Sequence, residues 1–337
     1  MAITKIDPLA AQFGRIAVLM GGPSTERIIS LASGKAVYEA LKQMMPEVVA
    51  IDIKTDNIEE NIELIRAHKI DCAFIALHGR FGEDGQIQEM LDNLNISYTG
   101  SDRLASSLAM DKIASRKVFQ GAGLIVPRYE VLEKSFYNNS LPGYITDNLI
   151  LPLVVKPAAH GSSIGMSIVE AEKELHKAIG LAFTFDERII IEEYIQGREV
   201  TVGILDDRAL PVIEIVPKRK FFDYEAKYQP GVTEYIAPAQ LEEGIAKSIQ
   251  SIAMSAHNLL GCSGFSRVDM ILSTEDIPYV LELNSIPGLT TTSLLPKAAK
   301  VAGIEFDQLC LNLIRLAYEK AKDKITSSPD KVTQLSG

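Results

Sequence analysis

Residues 267–272 (RVDMIL) and 279–284 (YVLELN) gather an arginine, two carboxylates and an amide within a short stretch of a 337-residue chain. Both segments alternate apolar and polar positions, the period of half-buried strands, and residues 273–278 read as their connection. A hairpin centred near Glu275 and Asp276 sets Asp269 opposite Glu282 and Arg267 opposite Asn284. In that register Val268, Met270 and Leu272 share the core side with Tyr279, Leu281 and Leu283. Two carboxylates ~4 Å apart repel by about 4 kcal/mol at an effective dielectric of about 20, so a positive charge belongs between them. Asp269, Glu282 and the amide oxygen of Asn284 are hard donors of the kind that hold Mg²⁺ on phosphates. A turn rich in hydroxyls and glycine, residues 285–293, follows directly. A solvated polar face on an edge hairpin is the competing reading. Four convergent polar groups favour the metal.

A second set of candidates is cationic. Lys156 ends an apolar strand, residues 151–157, and precedes the Gly/Ser loop AAHGSSIG at 158–165. A point charge, backbone N–H groups and hydroxyls around one loop form a phosphate cradle. It is not a Walker loop, because the lysine precedes the glycines. A surface loop without ligand fits the stretch equally well. Residues 188–195 (RIIIEEYI) run into Gly197-Arg198-Glu199. A strand entering a tight connection offers backbone groups to a base edge, and a carboxylate beyond it offers acceptors to ribose hydroxyls. A charged hairpin is the alternative there. Lys112, in Met110-Asp111-Lys112, reads by itself as a surface lysine.

The elements that must position these residues begin with a strand over 15–20 that ends at GGPSTER. A helix over 28–44, a strand over 48–53, a helix over 58–67 and a strand over 72–77 follow. This alternation predicts a parallel sheet wrapped by helices, an α/β fold. Glu26 and His78 then lie beyond the carboxyl ends of strands, where such sheets place ligands. A carboxylate on the helix dipole is the common alternative for Glu26, and a structural histidine for His78. The GG loop lacks the dinucleotide spacing. Helical segments continue to residue 121, and the pattern changes by residue 127. Residues 134–149 read as a polar insertion, residues 217–238 as a long binding loop or lid. A helix over 241–260 is expected to pack behind the hairpin.

Composition narrows the class. The chain is 47% hydrophobic with a formal charge of −10, which argues against general nucleic-acid binding. It has no apolar run long enough to span a bilayer and no signal-like N-terminus, so no membrane association is expected and a cytoplasmic location is the default. Cys72, Cys262 and Cys310 lack metal or disulfide spacing and read as buried thiols.

In this order, a strand-end lysine with a Gly/Ser loop, a Glu-Glu-aromatic segment and an Asp…Glu-x-Asn hairpin resemble the ATP-grasp fold. The strings GGPSTER, LHGRFGEDG, MDK, VKPAAHGSSIGMS, EEYIQGRE, DYEAKY, GFSRVDM and LELNSIPGLTTTSLLP together resemble the D-alanine–D-alanine ligase family, from about residue 15 to 314. The resemblance implies three domains: a Rossmann-like N-terminal domain (1–112) and two ATP-grasp subdomains (113–205 and 206–325), with a flexible tail at 326–337. It implies ATP-dependent joining of two D-alanines through an acyl phosphate, for peptidoglycan precursor synthesis, by a homodimer.

Carried over by motif, Lys112 and Lys156 would hold phosphates under the Ser162–Ser163 loop. Glu192, Glu193, Tyr194 and Ile195 would form the adenine hinge, and Glu199 would bind ribose. Asp269, Glu282 and Asn284 would hold two Mg²⁺ or Mn²⁺ ions. Glu26 would grip the first D-alanine's ammonium, with His78 near its carboxylate. Arg267 and the backbone at Gly288 would stabilise the tetrahedral oxyanion, with Ser293 and Leu294 near the second substrate. Lys227 and Tyr228 would belong to a closing loop, Tyr228 linked through Ser162 to Glu26 and favouring D-alanine as second substrate. His160 departs from the family pattern and carries no assigned role. A ligase for D-serine or D-lactate, another ATP-grasp carboxylate–amine ligase, and a nucleotide-binding regulator without turnover are the rivals.

Overall fold

The computed structural model describes residues 13–137, 141–217 and 233–326. Strand β1 (Ile16–Gly21) is buried along its whole length, as a central parallel strand must be. It pairs in parallel with β2 (Val48–Ile53) on one side and β3 (Cys72–Ile75) on the other, and β4 (Ser97–Tyr98) pairs in parallel with β3 at the edge. Helices α1 (Arg27–Met44) and α2 (Ile58–His68) form the crossovers. Asn57 caps α2 by accepting from Glu59 and Glu60 N–H at 3.0 and 3.2 Å, which satisfies donors the helix cannot. The short helix α3 (Gln86–Asn93) follows the LHGRFGEDG loop, and α4 (Arg103–Met110) and α5 (Lys112–Gly121) lead out of the sheet. Asp111 caps α5 through Ile113 and Ala114 N–H and so fixes where Lys112 starts its helix.

A second sheet, antiparallel, has the order β5-β8-β6-β7: β5 (Tyr129–Glu133), β8 (Arg188–Glu193), β6 (Leu153–Pro157) and β7 (Ser167–Val169). Helices α6 (Leu141–Asn148) and α7 (Leu175–Ala182) belong to this unit, and Ile145, Leu175 and Ile179 are buried in its core. The stretch expected as a polar insertion therefore holds a helix. The third sheet has the order β12-β11-β9-β13-β14, with β10 (Arg208–Ala209) on β9. Its strands are β9 (Gly197–Leu205), β11 (Ile213–Pro217), β12 (Thr233–Ile236), β13 (Phe265–Ser273) and β14 (Pro278–Asn284). Helix α8 (Glu243–Leu259) covers it, with Ile249, Ala253 and Ala256 packed on Val268 and Met270.

Three expectations change here. A division at 205/206 would cut β9 from its partners β11 and β13; the third sheet starts at residue 197. Helix α9 (Leu294–Val301) precedes α10 (Phe306–Thr326), and α10 returns to the first sheet, where Leu309, Leu313 and Ile314 share a core with Ile16, Val18 and Phe74. The N-terminal unit is thus closed by the C-terminal helix, not by residues 1–112 alone. Part of the expected loop at 217–238 is strand β12, paired with β11 from Glu214↔Ile236 to Pro217↔Thr233. Apart from Thr326, the last residue of α10, the expected tail lies outside the described residues. Cys72, Cys262 and Cys310 are free and buried.

Candidate active site

The hairpin forms with the expected register at its functional end: Arg267 pairs with Asn284, Val268 with Leu283 and Asp269 with Glu282. The ladder then shifts, Met270 pairing with Val280, so Leu281 is an extra residue on β14. The expected core side is corrected by this bulge. Val280 is fully buried, whereas Tyr279 and Leu281 are only partly so, because the added residue reverses the side-chain phase toward the tip. Asp269 collects four hydrogen bonds: Arg267 Nε and Nη2 at 2.8 and 2.7 Å, Thr201 Oγ1 at 2.6 Å and Asn284 Nδ2 at 3.0 Å. Glu282 pairs with Lys112 Nζ at 3.1 Å. Protein cations therefore balance both carboxylates.

A cavity of about 340 Å³ opens on one side of this wall, between the second and third sheets. Its lining includes Lys112, Lys156, Ser163, Glu192, Glu193, Tyr194, Ile195 and Glu199, so these residues expected to hold a nucleotide meet in one place, whereas Ser162 lines the second cavity. Lys112 Nζ also donates to the His160 carbonyl at 2.7 Å, tying α5 to the Gly/Ser loop. Lys156 Nζ donates to Glu192 Oε1 at 2.8 Å. Burial pulls the Lys156 ammonium down to about 8, although Glu192 opposes that shift. Burial pushes the Glu192 carboxyl up, yet Arg116 and Lys156 outweigh it and leave the group below the usual range. Sequence reasoning passed over Arg116, a helix arginine four residues after Lys112 that looks like a surface charge. It is fully buried and pairs with Glu192. At the opposite rim Arg198 grips Glu214 at 2.8 and 2.6 Å.

A second cavity, of about 480 Å³, lies on the other side of the wall. Glu26, His78, Ser162, Arg267, Gly288, Ser293 and Leu294, expected around the amino-acid substrates, all line it. Glu26 stands at the start of α1 and accepts a hydrogen bond from Ser162 Oγ. Ser162 and Ser163 both adopt left-handed backbone, with φ of 55° and 56°, an arrangement uncommon outside glycine that turns the loop back over Glu26. A side chain at Gly161 would place its Cβ 2.7 Å from Glu26 Oε2, so glycine is what lets the loop approach. Ser293 Oγ accepts from Thr290 N–H at 3.1 Å at the entry to α9, and a Cβ on Gly288 would lie 2.9 Å from that oxygen.

His78 has both ring nitrogens engaged within the protein: Nδ1 with the Ile286 carbonyl at 3.0 Å and Nε2 with Ser33 Oγ at 2.9 Å. The carbonyl can only accept and burial pulls the imidazole pKa down, which assigns a neutral ring with its hydrogen on Nδ1. Ser33 Oγ also accepts from Leu289 N–H at 3.2 Å. Glu83, which the sequence reading did not single out, completes this clasp. Its two oxygens accept from Gly79 N–H at 2.6 Å and Ile286 N–H at 3.3 Å. Burial and the neighbouring Glu26 push the Glu83 carboxyl up to about 8. The turn after Asn284 is thus held from the first sheet by Ser33, His78 and Glu83. Lys227 and Tyr228 lie outside the described residues.

Asp269, Glu282 and Ile215 line both cavities. Among the described residues no group of three or more His, Cys, Asp or Glu side chains has metal-site geometry. The donor set at the wall is instead two carboxylates and an amide, all hard oxygen donors on facing strands, and this chemistry fits a divalent cation that also uses phosphate oxygens.

Comparison with known proteins agrees with this geometry. A family model described as D-ala D-ala ligase C-terminus matches residues 118–315, and one described as D-ala D-ala ligase N-terminus matches residues 54–101. The D-alanine–D-alanine ligase of Geotalea uraniireducens is 46% identical over 306 residues, 91% of this chain and 96% of that protein. That of Syntrophotalea carbinolica is 46% identical over 296 residues, 88% of this chain and 93% of its own length. Among solved structures, the Bacillus anthracis D-alanine–D-alanine ligase complexed with ATP superposes with a TM-score of 0.80 at 34% identity, covering 92% of this chain and 99% of that one. VanG D-Ala:D-Ser ligase from Enterococcus faecalis gives 0.78 at 33% identity, covering 91% and 100%. The chain belongs to the D-alanine–D-alanine ligase family.

Proposed function

We propose that the chain joins two D-alanines into D-alanyl-D-alanine, a peptidoglycan precursor, using ATP to activate the first carboxylate as an acyl phosphate. The observation that carries this reading is the shared wall, since Asp269 and Glu282 face both the Lys156 cavity and the Glu26 cavity. ATP occupies the first cavity, its base at Glu193, Tyr194 and Ile195 and its ribose at Glu199. Lys112 and Lys156 hold the phosphates. Mg²⁺ or Mn²⁺ held by Asp269, Glu282 and Asn284 would supply charge neutralisation between the phosphate oxygens and the incoming carboxylate. Glu26 grips the ammonium of the first D-alanine and Ser162 orients Glu26. Arg267 and the backbone at Gly288 donate to the oxygen of the tetrahedral adduct formed when the second amine attacks, displacing phosphate. The Ser162 loop lies over the site where water would otherwise destroy the acyl phosphate.

ATP and D-alanine incubated with the protein should yield the dipeptide by mass spectrometry, with one ADP and one phosphate per bond. Failure to make a dipeptide from any D-amino acid would sink the reading. A second reading, a D-alanine–D-serine ligase, is favoured by the likeness to VanG, nearly equal to the likeness to the Bacillus anthracis ligase. Competition between D-alanine and D-serine separates the two, and the dominant mass identifies the second substrate. A cytoplasmic homodimer completes the proposal; among the described residues no helix is long and apolar enough to cross a membrane. Light scattering at working concentration gives the mass that tests the dimer.

A further inference from the structure

Behind Lys156 and Glu192, which line the first cavity, lies a buried charge that the reaction as described does not use. Arg116 on α5 has no solvent exposure, and it is not part of the cavity lining. Its Nη2 pairs with Glu192 Oε2 and donates to the Leu281 carbonyl at 3.3 Å, while Nε and Nη1 have no hydrogen-bond partner among the described residues. The guanidinium carbon lies 5.3 Å from the centre of the Tyr129 ring. The other oxygen of Glu192 accepts from Lys156 at 2.8 Å. One carboxylate is therefore shared by two cations, and the local sum is one positive charge. A buried arginine with two idle donors is costly, so its placement needs a reason beyond a single ion pair.

We propose that Arg116 is a positioning residue for the nucleotide: it neutralises Glu192 from behind, so that the charge of Lys156 stays available to a phosphate in the cavity. This deepens the proposed ATP reading and rests on it. Without Arg116, Glu192 and Lys156 form a neutral pair, and a polyanion entering the cavity must compete with the carboxylate for the lysine. The same guanidinium spans three elements that carry cavity residues. It is one helical turn after Lys112 on α5, it holds Glu192 on β8, and it bonds the bulge residue next to Glu282 on β14. Arg116 acts through these residues and touches no ligand itself.

The test compares Arg116→Met, Arg116→Gln and Arg116→Lys with the wild-type chain. Circular dichroism establishes folding, and KM values for ATP and D-alanine are measured separately. Arg116→Met should raise the KM for ATP about 10-fold or more while the KM for D-alanine stays within about 2-fold. Arg116→Lys, which keeps a cation, should recover most of the loss. Arg116→Gln, which keeps a donor toward Glu192 but no charge, should raise the ATP KM much as Arg116→Met does. A parallel rise of both KM values in Arg116→Met, or no rise for ATP, would overturn the proposal. If Arg116→Met does not fold, Arg116→Gln decides, because its amide can still donate to the Glu192 carboxylate: an unaltered KM for ATP or misfolding there also overturns the proposal. Wild-type turnover is the separate control. Absence of dipeptide in the unmutated chain indicts the ligase reading, whereas an intact wild type with unaltered Arg116→Met indicts only the role of Arg116.

Discussion

Replacing Arg267 by alanine separates the chemistry of the adduct from the architecture that surrounds it. Arg267 supplies two of the four hydrogen bonds on Asp269, at 2.8 and 2.7 Å, and Thr201 and Asn284 supply the others. The variant therefore leaves the buried carboxylate with two donors rather than none. Strand β13 is paired on both sides, by β9 and β14, so its backbone has no reason to move. The expected stability loss is about 2–3 kcal/mol, the scale of a hydrogen-bonded charge removed from a partly satisfied partner. The expected catalytic loss is about 10²–10³ in kcat, the usual consequence of deleting one oxyanion donor. Lysine at this position keeps the charge but cannot form the two-pronged contact with Asp269, so Arg267→Lys should fall between wild type and alanine. The assay couples ADP release to mass detection of dipeptide, with ATP affinity measured by titration on the same preparation. A folded Arg267→Ala chain that turns over near the wild-type rate would refute the reasoning. So would a variant whose whole defect is in ATP affinity.

Chelation should abolish turnover, and Mg²⁺ or Mn²⁺ should restore it; because Arg267 and Lys112 already balance Asp269 and Glu282, the melting temperature should move by less than about 2 °C. Metal-independent turnover would exclude the assigned donors. Gly161→Ala adds a Cβ 2.7 Å from Glu26 Oε2 and should raise the KM for D-alanine by about 10-fold with the KM for ATP little changed, as steady-state kinetics will reveal. Glu83, pushed up to about 8 from an ordinary value of 4.5, binds a proton in the folded state that the unfolded chain releases. Its contribution to stability is complete below pH 4.5 and is lost as pH rises through about 8. Melting curves across that range should therefore decline more steeply for wild type than for Glu83→Gln, and parallel declines would contradict the shift.

The functional end of the hairpin was legible because alternation and a polar turn leave one register that pairs Asp269 with Glu282. The tip was not, since Val280 and Leu281 are both apolar and nothing local distinguishes a bulged strand from a regular one. The first sheet was readable through the alternation of strand-like and helical stretches and through buried runs such as that of β1. Its closing layer was hidden, because α10 lies more than 200 residues from the strands it covers and only long-range packing unites them. Glu83 and Arg116 escaped for a related reason. Each is a charged residue in a polar-looking segment, and its burial depends on a partner, Ile286 or Glu192, that the chain brings close only after folding. The division at 205/206 failed because β9 looks like the end of one unit although its hydrogen bonds belong to the next.

The extra residue at Leu281 has a mechanical consequence. On an unbroken strand, the side chain at 280 would point the same way as those at 282 and 284, so any change in packing at the tip would rotate the donors with it. The bulge breaks that linkage. From Pro278 to Val280 the strand keeps time with α8 and the core, and from Glu282 onward it keeps time with the cleft. Core substitutions near the tip can alter how tightly the hairpin docks without re-aiming Glu282 and Asn284. Deleting Leu281 would restore one rhythm along the strand and force a choice between a buried Val280 and a cleft-facing Glu282.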